Sequence, residues 1–199
     1  MKTVFITGGA SGAGAATVKK FLSEDWNVTF MDKNCGLAAR LECSLGDPDN
    51  LLFVEGDVTC REDIRRAVMT AVDRFGQFDC IVVNAIVHRQ GTLSGIPDDD
   101  LRLMIDTNIY GTVNTLRETL PWILKSGGGS VVINVSDPCD EGQPDRFAYD
   151  MTMGALGQLV RSLSAGLGMF DIRVCGSGPG TPDEVAEMVY ATVSDVNPA

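Results

Sequence analysis

The sequence predicts an α/β fold, a Rossmann-like doubly wound parallel sheet of about six strands with helices on both faces. Short, β-branched, almost uninterrupted apolar runs occupy 2–7, 27–31, 51–55, 80–84, 130–135 and 172–175. Such runs suit strands buried on both faces of a parallel sheet. Between them lie helix-length segments at 12–24, 61–75, 99–125 and 149–168, with a later one at 184–193. Strand and helix alternating in this way imply right-handed crossovers. No linker, repeat or low-complexity stretch interrupts the pattern, so residues 1–199 are expected to form one domain.

The first strand ends in Thr7-Gly8-Gly9-Ala10-Ser11-Gly12-Ala13-Gly14, and a helix follows at once. Glycines at 8, 12 and 14 let the backbone turn sharply and approach a diphosphate, whose charge would rest on free N–H groups at the helix start. A tight turn without ligand is the alternative. No Lys-Ser/Thr pair follows the last glycine, so this is not a P-loop. Asp32 closes the second strand, 18 residues beyond Gly14. A carboxylate there accepts hydrogen bonds from both adenosine ribose hydroxyls and repels a 2′-phosphate, which favours NAD over NADP. Lys33 beside it softens that preference, and a solvated loop acid is the plainer reading of Asp32. Along 61–75, Ile64, Val68, Ala71, Val72 and Phe75 form the stripe of a half-buried helix. Asp98, Asp99 and Asp100 read as the acidic first turn of the next helix, and Gly127, Gly128 and Gly129 as a turn before the fifth strand. Thr181, Pro182 and Glu184 carry a helix-start signature: N-cap, proline at the first position, glutamate three residues after the cap.

Composition excludes several classes. Hydrophobic residues are 44% and charged residues 22% of the chain, ample for a full core. Its net charge of −11 repels phosphate backbones and anionic lipid, so neither a nucleic acid nor a membrane is an expected partner. One histidine, His88, excludes multi-histidine metal sites, and no metal is expected. No apolar run approaches the roughly 20 residues that cross a bilayer. The N-terminal MKTVFITGG enters the strand pattern without a small-residue cleavage site, so no signal peptide is expected. The six cysteines (Cys35, Cys43, Cys60, Cys80, Cys139 and Cys175) form no CxxC pair. They read as small buried hydrophobes in a reducing compartment, which makes the expected location cytoplasmic.

These residues resemble the short-chain dehydrogenase/reductase family over nearly the whole chain. The loop from Thr7 to Gly14 has that family's TGxxxGxG spacing. Gly56-Asp57-Val58 resembles its adenine-contacting Asp-Val pair, and Asn84-Ala85 begins its Asn-Ala-Gly motif. Asn108 matches the helix asparagine that holds a proton-relay water, and Tyr149 stands at the catalytic tyrosine. Asn134-Val135-Ser136 closes the fifth strand, and Pro179-Gly180 follows the sixth. The resemblance implies Tyr149, Ser136 and Asn108 as catalytic residues. It implies Gly8, Ser11, Gly12, Ala13, Gly14, Asp32, Asp57, Val58, Asn84, Ala85, Pro179 and Gly180 as cofactor-binding residues.

Three positions depart from the family pattern. The lysine four residues after the tyrosine is Met153, which supplies neither charge nor donor. The motif glycine after Asn84-Ala85 is Ile86, whose branched side chain is expected to crowd the nicotinamide ribose. After the fifth strand, Ser136 is followed by Asp137. By strand position aspartate replaces the catalytic serine; by its separation of 13 residues from Tyr149, Ser136 still serves. Arg146 or Arg89 is a candidate for the missing charge, and His88 for a substitute acid/base, against surface arginines and a solvated loop histidine. The helix signature directly after Gly180 predicts that the family's substrate lid and last strand are absent.

The expected function is an NAD(H)-binding oxidoreductase for a small alcohol or carbonyl substrate, weakened by Met153. The alternatives are a catalytically inactive NAD-binding sensor or partner subunit, and a structural protein without dinucleotide. Leu156, Leu159, Val160, Leu163 and Leu167 give the 149–168 helix an apolar surplus. That surplus suggests a dimer, or a helix buried on both sides within its own domain.

Overall fold

The computed structural model describes residues 1–135 and 143–194. Ser136, Asp137 and Cys139 lie outside the described residues, and with them the choice between the two serine registers. Six strands are present: β1 (Thr3–Thr7), β2 (Asn27–Asp32), β3 (Leu51–Glu55), β4 (Cys80–Val83), β5 (Gly129–Asn134) and β6 (Ile172–Ser177). They form one parallel sheet in the order β3-β2-β1-β4-β5-β6. The predicted doubly wound sheet is therefore the observed one, with strand ends shifted by a residue or two.

Around it lie α1 (Gly12–Ser23), α2 (Cys35–Leu45), α3 (Arg61–Phe75), α4 (Asp98–Met104), α5 (Thr112–Lys125), α6 (Phe147–Leu167) and α7 (Pro182–Ser194). The expected helix over 99–125 is not uniform. Ile105–Gly111 is wound more widely, as a π segment between α4 and α5. Below it, the buried hydroxyls of Thr112, Thr115 and Thr119 donate to the carbonyls of Asn108, Gly111 and Thr115, so no polar group is stranded along that stripe. Helix α2 was not anticipated. Only Ala38 and Leu41 are buried on it, too few to produce a periodic signal. Its ends are marked by Asn34, whose Oδ1 accepts from Leu37 N at 3.0 Å, and by Gly46 at φ 78°.

Alternate side chains of each strand enter opposite layers. Phe5, Ile81, Val83, Val131 and Ile133 meet Ile64 of α3, Leu116 of α5 and Leu156 of α6. Val4, Ile6, Val28, Phe30 and Val132 meet Val18 and Phe21 of α1, Leu41 of α2 and Val189 of α7. Helix α7 begins as its sequence signature requires: Thr181 N donates to Glu184 Oε2 at 2.8 Å, and Glu184 N donates back to Thr181 Oγ1.

The cysteine reading needs correction. Cys35, Cys43 and Cys60 are exposed and Cys175 is half-buried, because they sit on the outer face of α2, before α3 and on the edge strand. Only Cys80, in the central strand β4, is a fully buried hydrophobe among the described cysteines; burial pushes its thiol far above the ordinary value.

Phe21 ties α1 to α7, with its ring edge-on to Trp26 at 5.0 Å and to Tyr190 at 5.4 Å. Phe21→Ala should cost about 3–5 kcal/mol in urea unfolding. A loss below about 1 kcal/mol would contradict this account of how the second layer is held.

Candidate active site

The chain runs outward from β1 to β2 and β3, then returns to place β4 on the other side of β1. Connections leave the carboxyl ends of β1 and β4 in opposite directions, and such a switch point opens a crevice. A cleft of about 350 Å³ lies there.

A row of polar side chains ties the strand ends beneath it. Asn84, just past β4, donates from Nδ2 to the carbonyl oxygens of Thr7 (3.2 Å) and Gly8 (2.9 Å). Its Oδ1 accepts from Asn134 Nδ2 at 3.0 Å, and Asn134 Oδ1 accepts from Ser177 Oγ at 3.3 Å. The backbone N–H of Asn84 donates to Thr7 Oγ1 at 3.1 Å. Four neighbouring strands, β1, β4, β5 and β6, are thereby held in register at the edge where the cleft opens.

Above this row, Gly8, Ser11, Gly12 and Ala13 line one side of the cleft. Gly14 lies underneath, where a Cβ would run into the carbonyl oxygen of Gly8 and the Asn84 amide. Gly12 has φ +52° and opens to free space, since a Cβ there would meet nothing within 4 Å. The first N–H groups of α1 have no acceptor within the helix, and no acidic residue occupies its first turn. A diphosphate fits this cradle by charge and by room. Deeper in the cleft, the buried Thr107 hydroxyl has no hydrogen-bond partner among the described residues, so a polar ligand group would also be matched there.

Asp32 lines the cleft beyond the loop. Its carboxylate is anchored by Ala10 N (3.0 Å) and Asn34 N (2.9 Å). Lys33 does not pair with it; the ammonium lies 3.4 Å from Asp57 Oδ2. Asp57 and Val58 face the same cleft, and Asp57 Oδ1 accepts from both N and Oγ1 of Thr59 at 2.9 Å. Partial burial pushes the Asp57 carboxyl up, but Thr59 and the Lys33 charge outweigh it and hold the group below the usual carboxylate value.

At the opposite end of the cleft, Ala85, Ile86 and Val87 form the wall. Ile86 does occupy the place of the motif glycine there. Asn108 sits in the π segment, fully buried, with its carboxamide engaged: Oδ1 accepts from Val87 N (2.8 Å), and Nδ2 donates to Val87 O (3.0 Å) and Thr152 Oγ1 (3.0 Å). Tyr149 is in the first turn of α6, buried against the core. Met153 is one turn further and fully buried in that core, so no charge stands at its position. Arg146 lies over the Tyr149 ring, guanidinium carbon 5.4 Å from the centroid, whereas Arg89 turns to Asp100 at 3.5 Å. His88 packs its ring against Tyr149 with centroids 4.6 Å apart. Pro179 lines a separate groove between α6 and β6, with Val135, Met153 and Gly176, and Gly180 approaches Glu184; among the described residues neither borders the cleft.

Several cleft residues went unnoticed in the sequence. Met31 and Val87 gave no signal, being one apolar residue among many. Thr107 could have been found beside Asn108. No group of three or more His, Cys, Asp or Glu side chains among the described residues is placed to hold a metal.

A carboxyl held below its ordinary value of 3.8 adds stability that is present above that value and lost as the pH falls through the lowered one. Asp57→Asn should therefore lower Tm at pH 7, and its difference from the unaltered chain should shrink below about pH 4. Thermal melts in which the difference is unchanged across that range would contradict the assignment.

Known proteins bear on this geometry at two levels. In the curated sequences, L-fucose dehydrogenase of Mus musculus is 32% identical over 202 residues, covering 98% of this chain and 70% of that protein. Cis-2,3-dihydrobiphenyl-2,3-diol dehydrogenase of Pseudomonas putida is 34% identical over 184 residues, covering 90% of this chain and 65% of that protein. The chain thus spans 65% to 70% of the length of these relatives. Among solved structures, the 3-ketoacyl-(acyl-carrier-protein) reductase from Brucella melitensis complexed with NADH superposes with a TM-score of 0.91 at 22% identity. That superposition covers 98% of this chain and 91% of the other, and it speaks for the fold. The family model described as short chain dehydrogenase matches residues 2–195, and on that match, with the relatives and the sheet order, the chain belongs to this family of oxidoreductases.

Proposed function

We propose that the chain binds NAD(H) in the switch-point cleft and interconverts a small secondary alcohol and its carbonyl. The observation that carries this reading is the pairing of an open, positively polarised helix start with an anchored acid, Asp32, across one cleft. The N–H groups of Gly12 and Ala13 would hold the diphosphate, and Asp32 would take the adenosine ribose hydroxyls. Because Lys33 is committed to Asp57, the charge nearest the ribose is Asp32's own, which disfavours a 2′-phosphate. Asp57, Val58 and Thr107 would line the adenine end, and Asn84 and Ala85 the nicotinamide end.

Bound here, the cofactor supplies hydride transfer. Tyr149 exchanges the hydroxyl proton of the substrate. Asn108 holds Val87 against α6 and so fixes the wall beside the reacting groups. Two relatives named for a sugar and for a dihydrodiol support a substrate with neighbouring hydroxyls. The scattered cysteines, unpaired among the described residues, support a reducing, cytoplasmic setting. No helix among the described residues is long and apolar enough to cross a membrane. Leu159, Val160, Leu163 and Leu167 are only partly buried on α6, which supports a dimer through that helix.

The fully buried Met153 favours a second reading, a cofactor-binding partner subunit without turnover. Steady turnover of any alcohol or carbonyl in a panel of sugars, diols and ketones removes that reading.

Calorimetric titration is expected to give NADH binding at least about tenfold tighter than NADPH binding, with the gap narrowed in Asp32→Ser. Equal affinities for the two in the unaltered chain would overturn the role given to Asp32.

A further inference from the structure

Met153 leaves Tyr149 without the ammonium that the family pattern places one turn along the helix. Among the described residues, Arg146 and His88 meet the Tyr149 ring. Arg146 lies over it at 5.4 Å, and its charge is shared with Asp150 at 3.3 Å. His88 lies against it with centroids 4.6 Å apart and ring planes inclined at 59°. His88 is exposed to solvent and is the sole histidine of the chain. Imidazole is the side chain that most readily gains and loses a proton near neutral pH.

This juxtaposition is built in. Both backbone polar groups of Val87, the residue before His88, are gripped by Asn108, whose Nδ2 also donates to Thr152 Oγ1. Thr152 Oγ1 in turn donates to the Tyr149 carbonyl at 2.8 Å. One carboxamide therefore ties the segment that carries His88 to the helical turn that carries Tyr149, residues 61 positions apart in the sequence.

We propose that His88 is the proton-exchanging partner of Tyr149, standing in for the lysine this chain lacks. The proposal rests on the oxidoreductase reading above. In the oxidising direction the substrate loses a hydride from carbon to the oxidised nicotinamide and a proton from oxygen to Tyr149. The phenol proton of Tyr149 passes through one water to the neutral imidazole, and from His88 to solvent. Alcohol and NAD⁺ become carbonyl, NADH and one released proton. The charged groups placed about the Tyr149–His88 pair among the described residues are Arg146, just before α6, with its ion-pair partner Asp150, and Arg89 next to His88, which is drawn off by Asp100 of α4.

The test uses the whole chain and two readouts. Because there is one histidine, its proton NMR signals are unambiguous: they should show cross-relaxation with the Tyr149 ring and a ring-current shift that disappears in Tyr149→Leu. NADH affinity, by fluorescence titration, should be the same in His88→Gln as in the unaltered chain to within about twofold. In turnover of the sugar, diol and ketone panel, His88→Gln should lose about 100-fold in kcat and the acid limb of its pH profile. Added imidazole should restore part of the rate to His88→Ala. Absence of the NMR contact, an unchanged kcat and pH profile in His88→Gln, or NADH binding without any turnover in the unaltered chain would each overturn the proposal. Failure to bind NADH at all would instead bring down the oxidoreductase reading, and this role with it.

Discussion

The amide of Asn84 is the interaction on which the rest of the site depends. It sits at the junction where β1 and β4 part company, and it holds two carbonyls of the glycine loop with one nitrogen. Its oxygen links onward to Asn134, and Asn134 to Ser177, so the carboxyl ends of four strands are fixed relative to one another. Parallel strands do not meet through hairpins, so nothing in the local chain would otherwise set those ends level. Gly14 can only be glycine because this amide and the Gly8 carbonyl occupy the space a side chain would need. The direction in which α1 leaves the sheet, and hence where its free N–H groups point, follows from that close packing.

From this junction the cleft divides into two unlike halves. The half beside Asp32 and Asp57 is built from backbone N–H groups, an anchored acid and an ion pair. The other half is walled by Ala85, Ile86 and Val87, and toward it the chain departs from the family pattern. Met153 turns a charged position into core, and Ile86 puts a branched side chain where the family has none. Asn108 binds its neighbours through both ends of its carboxamide, so its clearest work in this chain is mechanical. The proton chemistry we propose adds to Tyr149 a group that the family pattern does not name, His88.

Much of this was legible in the sequence. Strands buried on both faces leave continuous apolar runs, and the six runs sit within a residue or two of the six strands. The glycine loop and Asp32 were legible because backbone geometry and charge fix their spacing. Other features were silent. Helix α2 buries two residues and showed only in its caps, Asn34 and Gly46. The widened turn around Asn108 has no compositional signature, since winding is decided by what the segment must pack against. The meeting of His88 with Tyr149 is a product of topology: one follows β4, the other opens α6, and only the fold brings them together. Cysteine exposure was misjudged for a related reason, because burial of a small residue depends on which face of a short helix it occupies.

The central claim is that the cofactor half of the cleft is complete and that its nicotinamide end opens toward the Tyr149–His88 pair. A crystal structure of the chain soaked with NADH tests it most directly. The account predicts the diphosphate on the N–H groups of Gly12 and Ala13, the adenosine ribose on Asp32, and the nicotinamide ring beside Tyr149. NADH seated elsewhere, or bound in this cleft with its nicotinamide turned away from Tyr149, would contradict it.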